Sequence, residues 1–317
     1  MHAVKVKKTE AQKTLNRLKA EGRYDSSREI MKEGDFVWIP VKGRLPGSVE
    51  KQLKAKERTP SLGSAYGIHS FDIVGDISIV FIPDKQRAFK QAIGRHIMKL
   101  HPHIKAVYME VAAASGDFRL QELELIAGRG SETVHKENGL KFKLDVTKVF
   151  FSPRQLTERM KLTEFVDDGD EVCVFFSGIA PIPIYLSRFS KPKKIVGIEL
   201  NPDSHRYATE NVRLNRAWNV ELINGDVRKV VPRLAEGRRF DLVVMPLPKG
   251  ALPFLETAGQ ALKKGGRAIV YVASSPDSLE SKLDIFRGQG FEVETVRKEL
   301  QISPKEWRYA VHARKAR

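Results

Sequence analysis

From residue 148 onward, short and nearly continuous apolar runs alternate with stretches of helical spacing. The runs lie at 172–176, 195–200, 220–224, 241–245 and 267–273. A strand apolar on both faces is one buried on both faces, so this half predicts a parallel sheet with helices above and below it. Two later runs, at 291–300 and 307–314, have no helix between them and predict an antiparallel pair finishing the sheet. Upstream the pattern is shorter and mixed. Thr9 followed by Gln12 reads as a capping box, and Ala11, Leu15 and Leu18 repeat at helical spacing until Gly22 stops the run. A strand follows at 36–41, and the basic, Gly- and Pro-containing stretch 42–60 reads as a linker. Apolar positions on either side of Gly75-Asp76 predict two short strands joined by a turn, then a helix over 85–100 and strands at 107–111 and 122–127. The expected organisation is a small N-terminal domain (1–57), a middle α+β domain (58–147) and an α/β domain (148–317).

Composition adds a partner class. The chain has 317 residues, longer than one average domain, with 41% hydrophobic residues. Its 55 Lys and Arg against 39 Asp and Glu leave a formal charge of +16, which draws it to a polyanion such as RNA or DNA. A generally solvated basic surface gives the same number. The small N-terminal domain is accordingly open to RNA contact and to a solubilising role. Cys173 is the single cysteine, so neither a disulfide framework nor a cysteine zinc site is expected, and no metal. The most apolar stretch, 172–186, is broken by Pro181 and Pro183 and is too short to span a bilayer; a soluble cytoplasmic protein is expected, with no membrane partner.

In an open parallel sheet a ligand sits beyond the carboxyl ends of the strands. Phe175-Phe176-Ser177-Gly178-Ile179-Ala180-Pro181 closes the first strand, where a glycine turn lets backbone approach a nucleoside; alone, such a glycine is equally an ordinary turn. Glu199 ends the next strand roughly 20 residues on, where an acidic side chain can accept hydrogen bonds from ribose hydroxyls. Asp226, ending the third, suits an adenine amino group or a helix N-cap, and the two roles can coexist. No Gly-Lys-Ser/Thr follows the turn, and no full Gly-x-Gly-x-x-Gly is present, so neither a triphosphate cradle nor a dinucleotide site is supported.

Three segments carry a more specific signal: Lys148-Val149-Phe150-Phe151-Ser152-Pro153-Arg154-Gln155-Leu156-Thr157-Glu158-Arg159, His135-Lys136-Glu137-Asn138-Gly139, and Phe71-Asp72-Ile73-Val74-Gly75-Asp76. Together they resemble the tRNA (guanine-37) N1-methyltransferase family of archaea and eukaryotes, over essentially the whole chain. The resemblance implies a class I (Rossmann-like) methyltransferase domain behind two smaller N-terminal α+β domains. It implies methyl transfer from S-adenosylmethionine to N1 of guanosine 37, by a monomer contacting the anticodon stem-loop and elbow of tRNA. The cofactor residues it implies are Ser177, Gly178, Ile179, Pro181, Glu199, Asp226, Pro246 and Pro248. Glu158 is implied as the general base and Arg119, in Ser115-Gly116-Asp117-Phe118-Arg119, as the group steadying charge on the base. Arg154, Phe150 and Lys249 are implied as substrate contacts. Other roles fit these residue types: Glu158 can pair with Arg154 or Arg159 on its own helix, Arg119 can face solvent or phosphate, and Phe150 with Phe151 can be core instead of a stacking platform.

The sequence departs from the family pattern at three places. Val174 stands where an Asp usually ends the first strand, Ala180 replaces the second Gly of the turn, and Pro246-Leu247-Pro248-Lys249-Gly250 stands where Asn-x-Pro is usual. Pro246 offers no side-chain amide to a base. The Pro-rich segments are similar to the archaeal branch of wyosine synthesis, some of whose members also methylate C7 of 4-demethylwyosine. Two other readings are an aminocarboxypropyl transferase of the same pathway and a tRNA-binding paralogue with an inactive cofactor site.

Overall fold

The computed structural model describes residues 1–56, 59–115 and 120–316. They form two compact units, Met1–Gly67 and Ile68–Arg317. The first unit holds β1 (His2–Lys7), α1 (Lys8–Ala20), β2 (Met31–Glu33), β3 (Phe36–Pro40), β4 (Ser48–Glu50) and α2 (Leu62–Tyr66), with sheet order β2-β3-β1-β4. Leu18 of α1 packs with Val37, Ile39 and Val41, and Ala11 and Leu15 border the cluster. The N-terminus opens as a strand, with Val4 and Val6 packed against the core between lysines, and two expectations change. The stretch 42–60 is no simple linker, because β4 completes the sheet against β1. The capping box does not form: α1 leaves the strand directly at Lys7, which makes no side-chain cap.

The second unit opens with β5 (Asp72–Val74), β6 (Ile77–Phe81), α3 (Lys90–Leu100), β7 (Ala106–Ser115) and β8 (Leu120–Gly128), in sheet order β5-β6-β7-β8. The helix expected from residue 85 begins as a 3-10 turn, Asp84–Phe89, before α3. A hairpin follows, β9 (Glu132–Glu137) and β10 (Leu140–Asp145), turning through Asn138 and Gly139, both at positive φ (46° and 77°) as a two-residue hairpin loop requires.

The remaining elements alternate: α4 (Leu156–Leu162), β11 (Glu171–Phe175), α5 (Pro181–Phe189), β12 (Lys194–Glu199), α6 (Pro202–Leu214), β13 (Val220–Asn224), α7 (Val227–Ala235), β14 (Phe240–Met245), α8 (Leu255–Ala261), β15 (Leu262–Ser274), α9 (Leu279–Gly288), β16 (Phe291–Ser303) and β17 (Glu306–Lys315). Their seven strands order as β13-β12-β11-β14-β15-β17-β16. The first five are parallel, and β17 pairs antiparallel with both β15 and β16. Alternate residues supply the two cores. Cys173 and Phe175 join Val196, Ile198 and Met245 on the face covered by α7, α8 and α9, while Val172 and Val174 meet Ile182 and Leu186 of α5 on the other. Val174 is fully buried there and contributes packing.

The outer edge of β10 is covered without a further strand. Asn211 accepts from the Lys143 N–H (2.7 Å) and donates to its carbonyl (3.1 Å). Asn215, one helical turn on, treats Lys141 alike (2.8 and 2.7 Å). Side chains four apart on a helix rise about 6 Å, close to the spacing of two strand residues, so α6 supplies what a neighbouring strand would.

Candidate active site

Strand order reverses between β11 and β14, which places a crevice at their carboxyl ends. The turn after β11 has Phe176, Gly178 and Ala180 at φ of 54°, 57° and 64°, and Pro181 opens α5. Only Gly178 adopts this region freely; a left-handed Ala180 costs about 1–2 kcal/mol, which explains why a glycine is usual there. Glu199, at the end of β12, closes the turn: Oε2 accepts from the Gly178 N–H at 2.7 Å and Oε1 from the Asn201 N–H at 2.8 Å. Burial pushes the Glu199 carboxyl up, against the pull of these N–H groups. Each oxygen keeps a further lone pair for a ribose hydroxyl.

Ser177 is buried, and its Oγ has no hydrogen-bond partner among the described residues. A buried hydroxyl left unpaired is costly, and this one is open to a ligand group at the turn. Gly197 makes room for it: a Cβ there would meet Ser177 Oγ at 3.0 Å and Leu222 Cδ2 at 2.9 Å. Ile179 is fully buried and its carbonyl accepts from Asn211 Nδ2 (3.2 Å), so its side chain anchors the turn from within.

Asp226 caps α7 through the Arg228 N–H (2.9 Å), and Arg228 Nη2 also donates to it at 2.7 Å. Those hydrogen bonds and the Arg228 charge hold its carboxyl below the usual range. The loop after β14 places Pro246 and Pro248 across the crevice from the turn, and the Ala273 N–H donates to the Pro248 carbonyl (2.9 Å). Lys249 is exposed and pairs with Glu306 at 3.1 Å.

A second pocket adjoins that loop, lined by Gln155, Glu158, Arg159, Leu162, Ile182, Pro246, Pro248, Tyr271 and Arg308. Glu158 pairs with Arg308, so neither Arg154 nor Arg159 is its partner. Arg154 donates to Asp72 Oδ1 (2.7 Å) and remains exposed. Arg159, 2% exposed, makes a bidentate contact with buried Glu137, through Nε at 3.0 Å and Nη2 at 2.8 Å. Burial pushes the Glu137 carboxyl up, but His135 and Arg159 more than offset it and hold it below the usual range. This pair ties α4, which carries Glu158, to the β9 strand.

The two phenylalanines separate. Phe150 is 44% exposed at the surface, whereas Phe151 is core, its ring 5.7 Å from Phe142 and faced by the Arg159 guanidinium at 5.1 Å. Arg119 lies outside the described residues. Arg308 and Tyr271 had no motif to announce them. Their signal was a charged residue opening the apolar run of β17: because that strand is antiparallel, its first residues lie at the carboxyl edge of the parallel strands. Burial lowers the Arg308 guanidinium to about 10, so it is still a cation at neutral pH.

Residues 133–294 match the family described as the TRM5/TYW2 methyltransferase domain, 53–132 the TYW2 N-terminal domain and 3–50 the tRNA methyltransferase 5 N-terminal domain. The tRNA (guanine(37)-N(1))-methyltransferase Trm5b of Pyrococcus abyssi is 34% identical over 333 residues, covering 98% of each chain. The chain belongs to the TRM5/TYW2 methyltransferase family. Among relatives in the TRM5/TYW2 family, the tRNA(Phe) (4-demethylwyosine(37)-C(7)) aminocarboxypropyltransferase of Methanocaldococcus jannaschii is 33% identical over 61% of this chain and 74% of its own. The crystal structure of Pyrococcus abyssi Trm5b superposes over the whole of both chains with a TM-score of 0.72 and 33% identity. The complex of aTrm5 with tRNALeu reaches 0.78 with 28% identity, over 99% of this chain and 100% of that one. The class I fold that the resemblance implies, with the parallel sheet expected from the strand pattern, is therefore that of this TRM5/TYW2 chain.

Proposed function

We propose that this chain is a tRNA methyltransferase that modifies N1 of guanosine 37 with S-adenosylmethionine as donor. The observation that carries it is the junction of two half-sites at one sheet edge: the turn with unpaired Ser177 Oγ and Glu199, and the adjoining pocket with Glu158. When bound, the cofactor supplies an electrophilic methyl on a sulfonium, so that N1 gains the carbon while sulfur keeps the electron pair of the broken S–C bond. Ser177, Gly178, Pro181 and Glu199 would hold its nucleoside part, Asp226 the adenine side, and the Pro246 to Pro248 loop the rim towards the base. Glu158 accepts the N1 proton, and Arg119 contacts the base. Phe150, exposed beside α4, suits stacking on a nucleotide drawn out of the anticodon loop, with Arg154 and Lys249 near its phosphates.

The chain would act as a monomer on the anticodon stem-loop and elbow. No helix among the described residues is long and apolar enough to cross a membrane, and action in the cytoplasm follows from a tRNA substrate. Pro246 favours a second substrate as well: without a side-chain amide at the rim, the pocket is open to methylation of C7 in 4-demethylwyosine. Incubation with unmodified and with 4-demethylwyosine-containing tRNA, followed by nucleoside mass spectrometry, tests both. 1-Methylguanosine is expected from the first, and an aminocarboxypropyl adduct or no product would overturn the proposal. Glu158→Gln is expected to lower the rate at guanosine 37 by about 10²–10⁴-fold, and an unchanged rate would remove Glu158 as the base.

A further inference from the structure

We propose that Arg308 contacts O6 of the target guanine while Glu158 takes its N1 proton, the two side chains forming one recognition pair that is both specific and catalytic. The inference rests on the guanosine 37 reading above. Arg308 is 5% exposed, lines the pocket with Glu158, Pro246 and Tyr271, and is in contact with Glu158. Its Nε has no hydrogen-bond partner among the described residues. Its guanidinium lies 5.4 Å from the centre of the Tyr271 ring. Buried, cationic and incompletely satisfied, it is a donor waiting for an acceptor.

Guanine offers that acceptor in the right place. N1–H and O6 are neighbouring atoms on one edge of the base, a donor beside an acceptor. A carboxylate beside a guanidinium is the complementary order. As Glu158 removes the N1 proton, negative charge spreads to O6, and a cation there stabilises it where water is excluded. Adenine presents the opposite order, an acceptor at N1 and donors at N6, so the same pair turns it away. At the rim, where an amide is usual, Pro246 offers no donor, and Arg308 supplies one from the far wall.

The test is single-turnover methyl transfer at guanosine 37, with saturating S-adenosylmethionine, for the unaltered chain and for Arg308→Met, Arg308→Gln and Arg308→Lys. Melting temperature and calorimetric cofactor affinity are measured alongside. Activity of the unaltered chain establishes the underlying reading separately; without it both proposals fall. Arg308→Met is expected to lose about 10²–10³-fold, with a rate that climbs more steeply with pH than the unaltered chain's because N1 must now ionise without a cation at O6. Arg308→Lys should recover to within about tenfold while Arg308→Gln stays slow, an ordering that still decides the matter if the Met variant does not fold. A Met or Gln variant with the original rate and pH profile, or losses that track melting temperature and not charge, would overturn the proposal.

Discussion

At the scale of single residues, Gly197 shows how little space the cofactor turn has. Its missing Cβ is what lets Ser177 lie against β12, with Leu222 closing the other side. Gly197→Ala is expected to cost about 1–3 kcal/mol of stability and to displace the turn outward. S-adenosylmethionine affinity should then fall about tenfold, about 1.4 kcal/mol, as read by calorimetry. An affinity unchanged beside a lowered melting temperature would separate the turn from the cofactor. The acidic strand ends were legible in the sequence because position along a parallel sheet dictates them. The partners of Glu158 were not: helical spacing offers Arg154 and Arg159, but tertiary contacts gave one to Asp72, the other to Glu137, and brought Arg308 from a distant strand.

At the scale of elements, the short helix α4 owes its place to the Arg159–Glu137 pair more than to its own length. Removing one member leaves a buried charge unpaired, so Arg159→Met should destabilise the chain by about 3–5 kcal/mol in denaturant titration, and adding Glu137→Leu should return much of it. The pair also fixes an acid response. Glu137 is held below the usual carboxylate range, so its contribution is full above about pH 4.3 and is lost as pH falls through the lowered value. The doubly apolar variant should lose stability less steeply on acidification, and an equal slope would exclude the pair as its source. The parallel strands of the second unit were readable because burial on both faces leaves near-continuous apolar runs. Strands β1 and β4 were not: β1 is six residues long with lysines between its valines, and β4 is an edge strand of only three residues.

For the whole molecule, the +16 formal charge predicts binding dominated by phosphate contacts. If six phosphates are neutralised, tRNA affinity should fall about 10³-fold between about 50 and about 200 mM salt in filter binding, while cofactor affinity changes little. A flat salt response would mean the charge is not directed at RNA. One further property belongs to the molecule in company with its own copies. An uncovered strand edge is a template on which another chain can build, and β10 would present one. Asn211 and Asn215 occupy it with side-chain amides. Two side chains of one helix thus guard the folded chain against growing into an aggregate at its own hairpin, and Asn211 holds the cofactor turn as it does so.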